Sequence, residues 1–503
     1  MMESFSLLAH GFAVAATPQN LFFCFVGALC GTLIGVLPGL GPVATISLLL
    51  PLTYGLDPVS AIIMISGIFY GAQYGGSTTA ILMNIPGEST SVVTALDGYR
   101  MAQQGKAGEA LAIAAIGSFI AGVVGSLAIA IFGPPLAKAA TKFESPDYFS
   151  LMVLGLIAAV VLASGSILRA VAMVLLGLLL GLVGSDVNSG MSRMTFDYLP
   201  LMDGINFVAL AMGLFGVSEI VSNLEQKSGN KAEVQKINSI WPSLTTFLSA
   251  RWAIMRGTLL GIAFGILPGG GATMASFSAY TLEKKISKRP EQFGRGAIEG
   301  VAAPESANNA AAQTSFIPLL TLGLPTSPTM ALIIGALILH GVAPGPMVVT
   351  KQPDLFWGVI ASMFFGNIML VIINMPLIGL WVRLLNVPYR MLFLIILVIS
   401  SIGVYSVNNS AFDILLTVGV GFLGYLLRKL GAEPAPLLMG FVLGGPMEEN
   451  LRRSLIISRG DYMVFLERPI SCGFLLVALV LLASVALPFI KKRRATVFDE
   501  RAG

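Results

Sequence analysis

Gly31-Thr-Leu-Ile-Gly-Val-Leu-Pro-Gly-Leu-Gly-Pro42 halts a helix inside apolar sequence, and Gly261-Ile-Ala-Phe-Gly-Ile-Leu-Pro-Gly-Gly-Gly-Ala272 does so again in the second half of the chain. In each stretch an apolar segment runs into Pro-Gly-X-Gly and another leaves it. Proline removes a backbone N–H and clashes with the preceding turn, and the glycines beside it disfavour a regular helix. In lipid the freed N–H and C=O groups find no water, so such a break is tolerated only where it lines a protein cavity or meets a ligand. Two related breaks therefore predict a binding site with two walls.

The surrounding composition places both breaks in a membrane. Of 503 residues, 55% are hydrophobic and only 11% charged, against about a quarter charged in an average soluble protein. Apolar runs at 109–131, 148–163, 169–183, 205–221, 355–380 and 472–490 approach or exceed the ~20 residues that cross hydrocarbon. An all-α polytopic membrane protein with about a dozen membrane elements is expected. Residues 1–20 hold no Lys or Arg and no basic region followed by a small-residue cleavage pattern, so no cleaved signal peptide is expected. The net charge of +4 belongs to loops and does not indicate nucleic acid. Cys24, Cys30 and Cys472 form no CxxC pair, which argues against a disulfide framework or a cysteine metal site.

The two halves answer each other. Pro38 matches Pro268, Gly133-Pro-Pro-Leu136 matches Asn374-Met-Pro-Leu377, Pro146 matches Pro388, Gly177 matches Gly419, and Met212-Gly213 through Asn223-Leu224 echoes Met439-Gly440 through Asn450-Leu451. Their unchanged order predicts two structural repeats. The expected organisation is an N-terminal segment at 1–19, a first membrane repeat at 20–224, a polar cytoplasmic linker at 225–250, a second repeat at 251–451, a C-terminal helical extension at 452–490 and a basic cytoplasmic tail at 491–503.

Basic residues prefer cytoplasmic loops, so inverted repeats should alternate in opposite phase. The 54–58 loop, which has no basic residue, faces a counterpart with Lys284, Lys285, Lys288, Arg289 and Arg295. Arg100 and Lys106 face only Lys351, Arg169 faces the uncharged 406–410, and 185–189 faces Arg428-Lys429. Arg452-Arg453 runs against the pattern. The balance predicts an inverted internal repeat with discontinuous helices or re-entrant hairpins.

Each half adds two polar patches after its break. The first carries Gly71-Ala-Gln-Tyr-Gly-Gly-Ser-Thr-Thr79 and Asn84-Ile-Pro-Gly-Glu-Ser-Thr90, and the second carries Ala303-Pro-Glu-Ser-Ala-Asn-Asn309 and Thr321-Leu-Gly-Leu-Pro-Thr-Ser-Pro-Thr329. Half-helix N-termini, with unpaired N–H groups and the positive dipole end, suit a carboxylate. Freed carbonyls with Ser, Thr and Asn oxygens suit a small hard cation such as sodium. The candidate substrate-binding residues are Pro38, Gly39, Gly41, Gly76, Ser77, Thr78, Asn84, Gly269, Gly270, Gly271, Asn308, Asn309, Thr326 and Ser327. Glu305, a carboxylate in apolar surroundings, is the candidate for coupling an ion or proton.

Blander readings accompany these. Gly31, Gly35, Gly257, Gly261 and Gly265 have helix-packing spacing, and Ser77, Thr78, Asn308 and Asn309 could bond between helices. The Pro-Gly breaks could be structural kinks, and loop placement would void the case for Glu305. Glu88 and Asp97 are expected near the surface and solvated, and His10 and His340 to be structural.

HExxH, GxSxG and GxxxxGK[ST] are absent, so no enzyme is expected and nucleotide-driven transport is disfavoured. A channel or passive anion pore is the alternative to a secondary transporter. A channel usually builds its filter from one sequence per subunit of a symmetric oligomer, whereas two non-identical breaks in one chain suit alternating access.

With the first break, Thr94-Ala-Leu-Asp-Gly-Tyr-Arg-Met-Ala-Gln-Gln-Gly105, Gly300-Val-Ala-Ala-Pro-Glu-Ser-Ala-Asn-Asn309 and Phe441-Val-Leu-Gly-Gly-Pro446 in place, the chain resembles the large membrane subunit of the tripartite tricarboxylate transporters, the TctA family. The resemblance covers nearly the whole length. It implies a multi-pass permease of the bacterial inner membrane for carboxylates such as citrate, without a cofactor. It also implies a small membrane subunit and a periplasmic solute-binding protein as partners, with secondary, sodium-coupled transport.

Overall fold

A computed structural model of the chain describes residues 2–37, 41–163, 166–186, 189–225, 244–267, 271–384 and 389–486. Pro38, Gly39, Pro268, Gly269 and Gly270, most of the expected linker and the basic tail lie outside the described residues. Among those described, five helices are long and apolar enough to cross a membrane: Pro18–Gly35, Ala107–Ala140, Phe207–Glu225, Pro353–Asn374 and Ala411–Lys429. Shorter apolar helices such as Pro42–Leu49, Ile167–Gly181 and Pro328–Leu339 lie among them. The strands described are two-residue pieces, Gly184–Ser185 and Ser192–Arg193, paired antiparallel. The chain is an all-α, multi-pass membrane protein.

The tightest packing is built on glycine. Gly27, Gly31 and Gly35 lie so close to the backbones of Met64, Ile68 and Ala72 that a Cβ on any of them would overlap the Pro58–Met83 helix. Gly67, Gly71 and Gly75 return the contact against Ala28, Thr32 and Val36. In the second half Gly257, Gly261 and Gly265 lie equally close to Ala303, Ala307 and Ala311. Without a hydrophobic drive between helices in lipid, small residues allow backbones to approach and gain dispersion contacts. These outer glycines are packing residues.

Other contacts exchange between halves. On the Ala107–Ala140 helix, Gly117 lies against Ser306 and Gly125 against Ala310 and Gln313, while Gly366 of Pro353–Asn374 lies against the Tyr70 ring. Gly213 meets Thr417 and Val420, and Gly440, its expected match, meets Val174 and Leu178. Gly177 packs on Leu437, a Cβ on Gly419 would meet nothing within 4 Å, and one on Gly421 would overlap Val217.

Helices run across two of the expected boundaries. The helix Leu244–Gly265 takes in residues 244–250 of the expected linker. The helix Ala435–Ile457 runs through 451, where the second repeat was expected to end, and the i, i+4 pairs Glu448–Arg452 and Glu449–Arg453 support it there. Arg452 also pairs with Asp186 at 3.0 Å. The contrary charge of Arg452-Arg453 is thus partly balanced by adjacent carboxylates. Arg193 joins the same group through Glu448 and Asp186, and its hydrogen bonds to Glu448 chiefly raise the guanidinium above its ordinary range.

Candidate functional site

The site gathers around residues 85–91. The Pro58–Met83 helix starts on Asp57, whose carboxylate accepts from the N–H groups of Val59 and Ser60, and stops at Asn84 in the left-handed conformation, φ 58°. The chain then passes over the first break. A Cβ on Gly87 would overlap Gly76, and one on Gly41 would come within 3.3 Å of the Gly87 carbonyl oxygen. Only glycine permits this approach of loop to helix. Gly41 also precedes Pro42–Leu49, so that helix begins beneath the loop.

The same loop reaches the second break. Ser89 and Thr273 meet hydroxyl to hydroxyl at 3.0 Å, and Thr273 lies in the first turn of Gly271–Ile286. Gly271 folds back on its own incoming segment, where a Cβ would stand 3.0 Å from the Phe264 carbonyl oxygen. One loop thus contacts the residues that follow each break.

Beneath the loop lies the helix Glu299–Thr314, every residue of which from Gly300 to Thr314 is buried. The Glu305 carboxylate, 2% exposed, accepts from Ser77 Oγ at 2.8 Å and Thr94 Oγ1 at 2.6 Å. One turn on, Asn308 donates to Glu88 at 3.1 Å and accepts from Gln73 at 3.2 Å. Asn309 donates to Ser118 at 2.7 Å and to the Glu305 carbonyl at 3.1 Å. Ser276 donates to the Pro304 carbonyl at 3.2 Å. The polar patches of the two halves therefore interlock, each satisfying groups that would otherwise be stranded in an apolar interior.

Of the expected residues, the structure brings Gly41, Gly76 and Gly271 to the walls and Ser77, Asn308, Asn309 and Glu305 to the bonded cluster. Thr78 donates to the Tyr74 carbonyl at 3.2 Å on the helix that carries Ser77, and Asn84 caps that helix in an exposed position. Thr326 and Ser327 make no bond to the cluster: Ser327 caps Pro328–Leu339 by accepting from the Met330 N–H at 3.3 Å, and the buried Thr326 hydroxyl finds no partner among the described residues. His10 pairs with Asp354 at 2.7 Å and His340 with Thr53 at 3.1 Å, neither at the cluster. Among the described residues, no three His, Cys, Asp or Glu side chains assemble to hold a metal ion.

Glu88 and Asp97 overturn the expectation of solvated surface acids. Glu88 is half-buried and accepts from Thr90 and Asn308. Asp97 is fully buried; its Oδ1 accepts from the N–H groups of Gly294, Gly296 and Ala297 at 2.7–2.8 Å, and its Oδ2 from Tyr280 at 3.0 Å. Thr94, Asp97 and Met101, at i, i+3 and i+7 of Val92–Gln103, share its buried face. That periodicity was the available signal for Thr94 and Asp97, whereas nothing local singles out Gln73.

The profile of the tripartite tricarboxylate transporter TctA family matches residues 21–439. A 52.8 kDa protein of Agrobacterium vitis, described as lying in the TAR-I ttuC' 3' region, is 57% identical over 500 residues, covering 99% of this chain and 100% of that protein. A second Agrobacterium vitis protein, described by the TAR-II ttuC' 3' region, is 60% identical over 240 residues, 48% of this chain and 99% of its own. No solved structure matches.

Proposed function

The chain belongs to the tripartite tricarboxylate transporter TctA family, and we propose on that footing that it is the large permease subunit of a binding-protein-dependent secondary transporter. The cargo is a citrate-like tricarboxylate or related organic anion, imported through the bacterial inner membrane and driven by an ion gradient, with sodium as the coupling cation. A periplasmic solute-binding protein delivers the anion, and a small membrane subunit completes the permease.

The observation that carries this reading is the approach of one loop to both helix breaks: Gly87 at Gly41 on one side, Ser89 at Thr273 on the other. N–H groups at the start of Pro42–Leu49 and Gly271–Ile286, with the hydroxyls of Ser89 and Thr273, offer neutral donors to a carboxylate. The matched glycine seams of the two halves and their exchanged contacts support an inverted repeat, in which one set of elements rocks against the other around the bound anion.

Reconstitution with both partners in proteoliposomes tests the proposal. Labelled citrate should accumulate above its equilibrium level, and only with a sodium gradient and the binding protein present. Uptake that merely equilibrates would make the protein a passive pore, and accumulation without the binding protein would remove that dependence.

A further inference from the structure

We propose that the cavity bounded by Tyr74, Ser77, Ser118, Glu305 and Asn374 is a site for one monovalent cation of sodium's size, and that its occupant holds the 85–91 loop in place. The inference rests on the transporter reading for its role in coupling, but the cation site itself is built from the residues alone.

The cavity measures about 20 Å³, roughly the room of one water molecule. It admits a bare cation and is far too small for a carboxylate substrate. Its lining contains the single carboxylate of Glu305 and no lysine or arginine. Neutral oxygens complete it. Asn374 donates its Nδ2 to the Leu370 carbonyl at 2.9 Å, and among the described residues neither its Oδ1 nor the Tyr74 hydroxyl has a hydrogen-bond partner. Both residues are more than nine-tenths buried, Tyr74 at 5% and Asn374 at 6% exposure. Ser118 accepts from Asn309, and Ser77 donates to Glu305, so each hydroxyl oxygen retains a lone pair.

Hard oxygen donors select a hard cation, and one carboxylate selects a single positive charge. Glu88, the nearby second carboxylate, is held by Thr90 and Asn308 and does not line the cavity, so within the lining a divalent ion would leave a net positive charge. An occupant drawn to Glu305 also fixes the carboxylate on Thr94, just beyond the loop, while Asn308, one turn along the same helix, holds Glu88 within the loop. The loop is thereby tethered at its middle and just past its C-terminal end to the helix that carries the cation ligand. Cation and anion affinities become linked, each strengthening the other by the same factor.

The test uses the purified full-length protein in detergent, without partners or anion, melted at constant ionic strength in sodium, potassium or choline chloride. Sodium should raise Tm saturably, and potassium and choline should not. Glu305→Gln and Asn374→Leu should each raise the half-saturating sodium concentration at least tenfold. Should Glu305→Gln fail to fold, Asn374→Leu and Tyr74→Phe carry the comparison. In a Ser89→Cys background sodium should slow maleimide labelling severalfold, and the added Glu305→Gln change should erase that protection. Equal melting in all three salts, or wild-type half-saturation in the folded variants, would overturn the site; protection that follows pH and not sodium would replace the metal with a proton. Uptake is scored separately. Sodium-driven uptake with unaltered melting in Glu305→Gln would sink the site and spare the transporter, while sodium-dependent melting without uptake would do the reverse.

Discussion

Ser89 and Thr273 touch hydroxyl to hydroxyl at 3.0 Å, one from the loop beyond the Pro58–Met83 helix and one from the turn that follows the second break. The contact joins a segment of the first half to a segment of the second. If transport rocks one half against the other, this join must change. Paired cysteines at 89 and 273 should form a disulfide under oxidation, given the short separation. Uptake should stop in the oxidised double variant and return with reductant, while the rate of each single variant should not differ between the two conditions. Full uptake with the crosslink formed would show that this join stays closed throughout the cycle.

Gly87 lies against Gly76 and near the Gly35 carbonyl. Valine at 87 should lift the loop from both breaks and lower uptake at least tenfold, with membrane insertion retained. Gly445→Ala, whose added methyl meets nothing within 4 Å, is the matched control. Uptake kinetics normalised to protein in the membrane decide the matter, and wild-type rates for Gly87→Val would remove the loop from the transport path.

Asp97 gathers three backbone N–H groups and one phenol. Alanine there would strand these donors, at a cost of about 1–3 kcal/mol for each that water cannot reach. Asp97→Ala is therefore expected to lower stability by about 3 kcal/mol or more, and Asp97→Asn, which keeps one acceptor oxygen, by less. Thermal melts of the detergent-solubilised protein measure both. Equal melting of the alanine variant and the parent would show that the 294–297 turn finds other partners.

Gly31→Leu and Gly261→Leu should each prevent correct packing, because the new side chain would enter the backbone of Ile68 or Ala307. Gly419→Leu should be tolerated, and Gly421→Leu should not, since only Gly421 faces a neighbouring helix. Monodispersity of the four solubilised variants checks this. A tolerant Gly421 paired with an intolerant Gly419 would show that Gly419, not Gly421, faces the neighbouring helix.

Class and general layout were legible because composition and helix-breaking residues act locally. Apolar runs gave the membrane class, and the Pro-Gly stretches gave the interruptions. The expected repeat was read from prolines such as Pro38 and Pro268 and from glycines such as Gly419, where one glycine among many carries little information. Glu305 could be singled out because the sequence around it is apolar. Its partners could not. Ser77 and Thr94 meet it only after folding brings distant segments together, and Gln73 reads locally as one polar residue in a mixed helix. Asp97 was misjudged for a related reason: a carboxylate beside Arg100 resembles a surface charge until the backbone donors of 294–297 arrive from the other half.

The exchanged packing also constrains biosynthesis. Gly117 needs Ser306, Tyr70 needs Gly366, and Gly213 needs Thr417. When the first half leaves the ribosome, several of its helices enter the bilayer without their permanent neighbours and must wait there until the rest of the chain is translated. A version cut between the halves should consequently regain activity when both pieces are made together in one cell, and neither piece should mature alone.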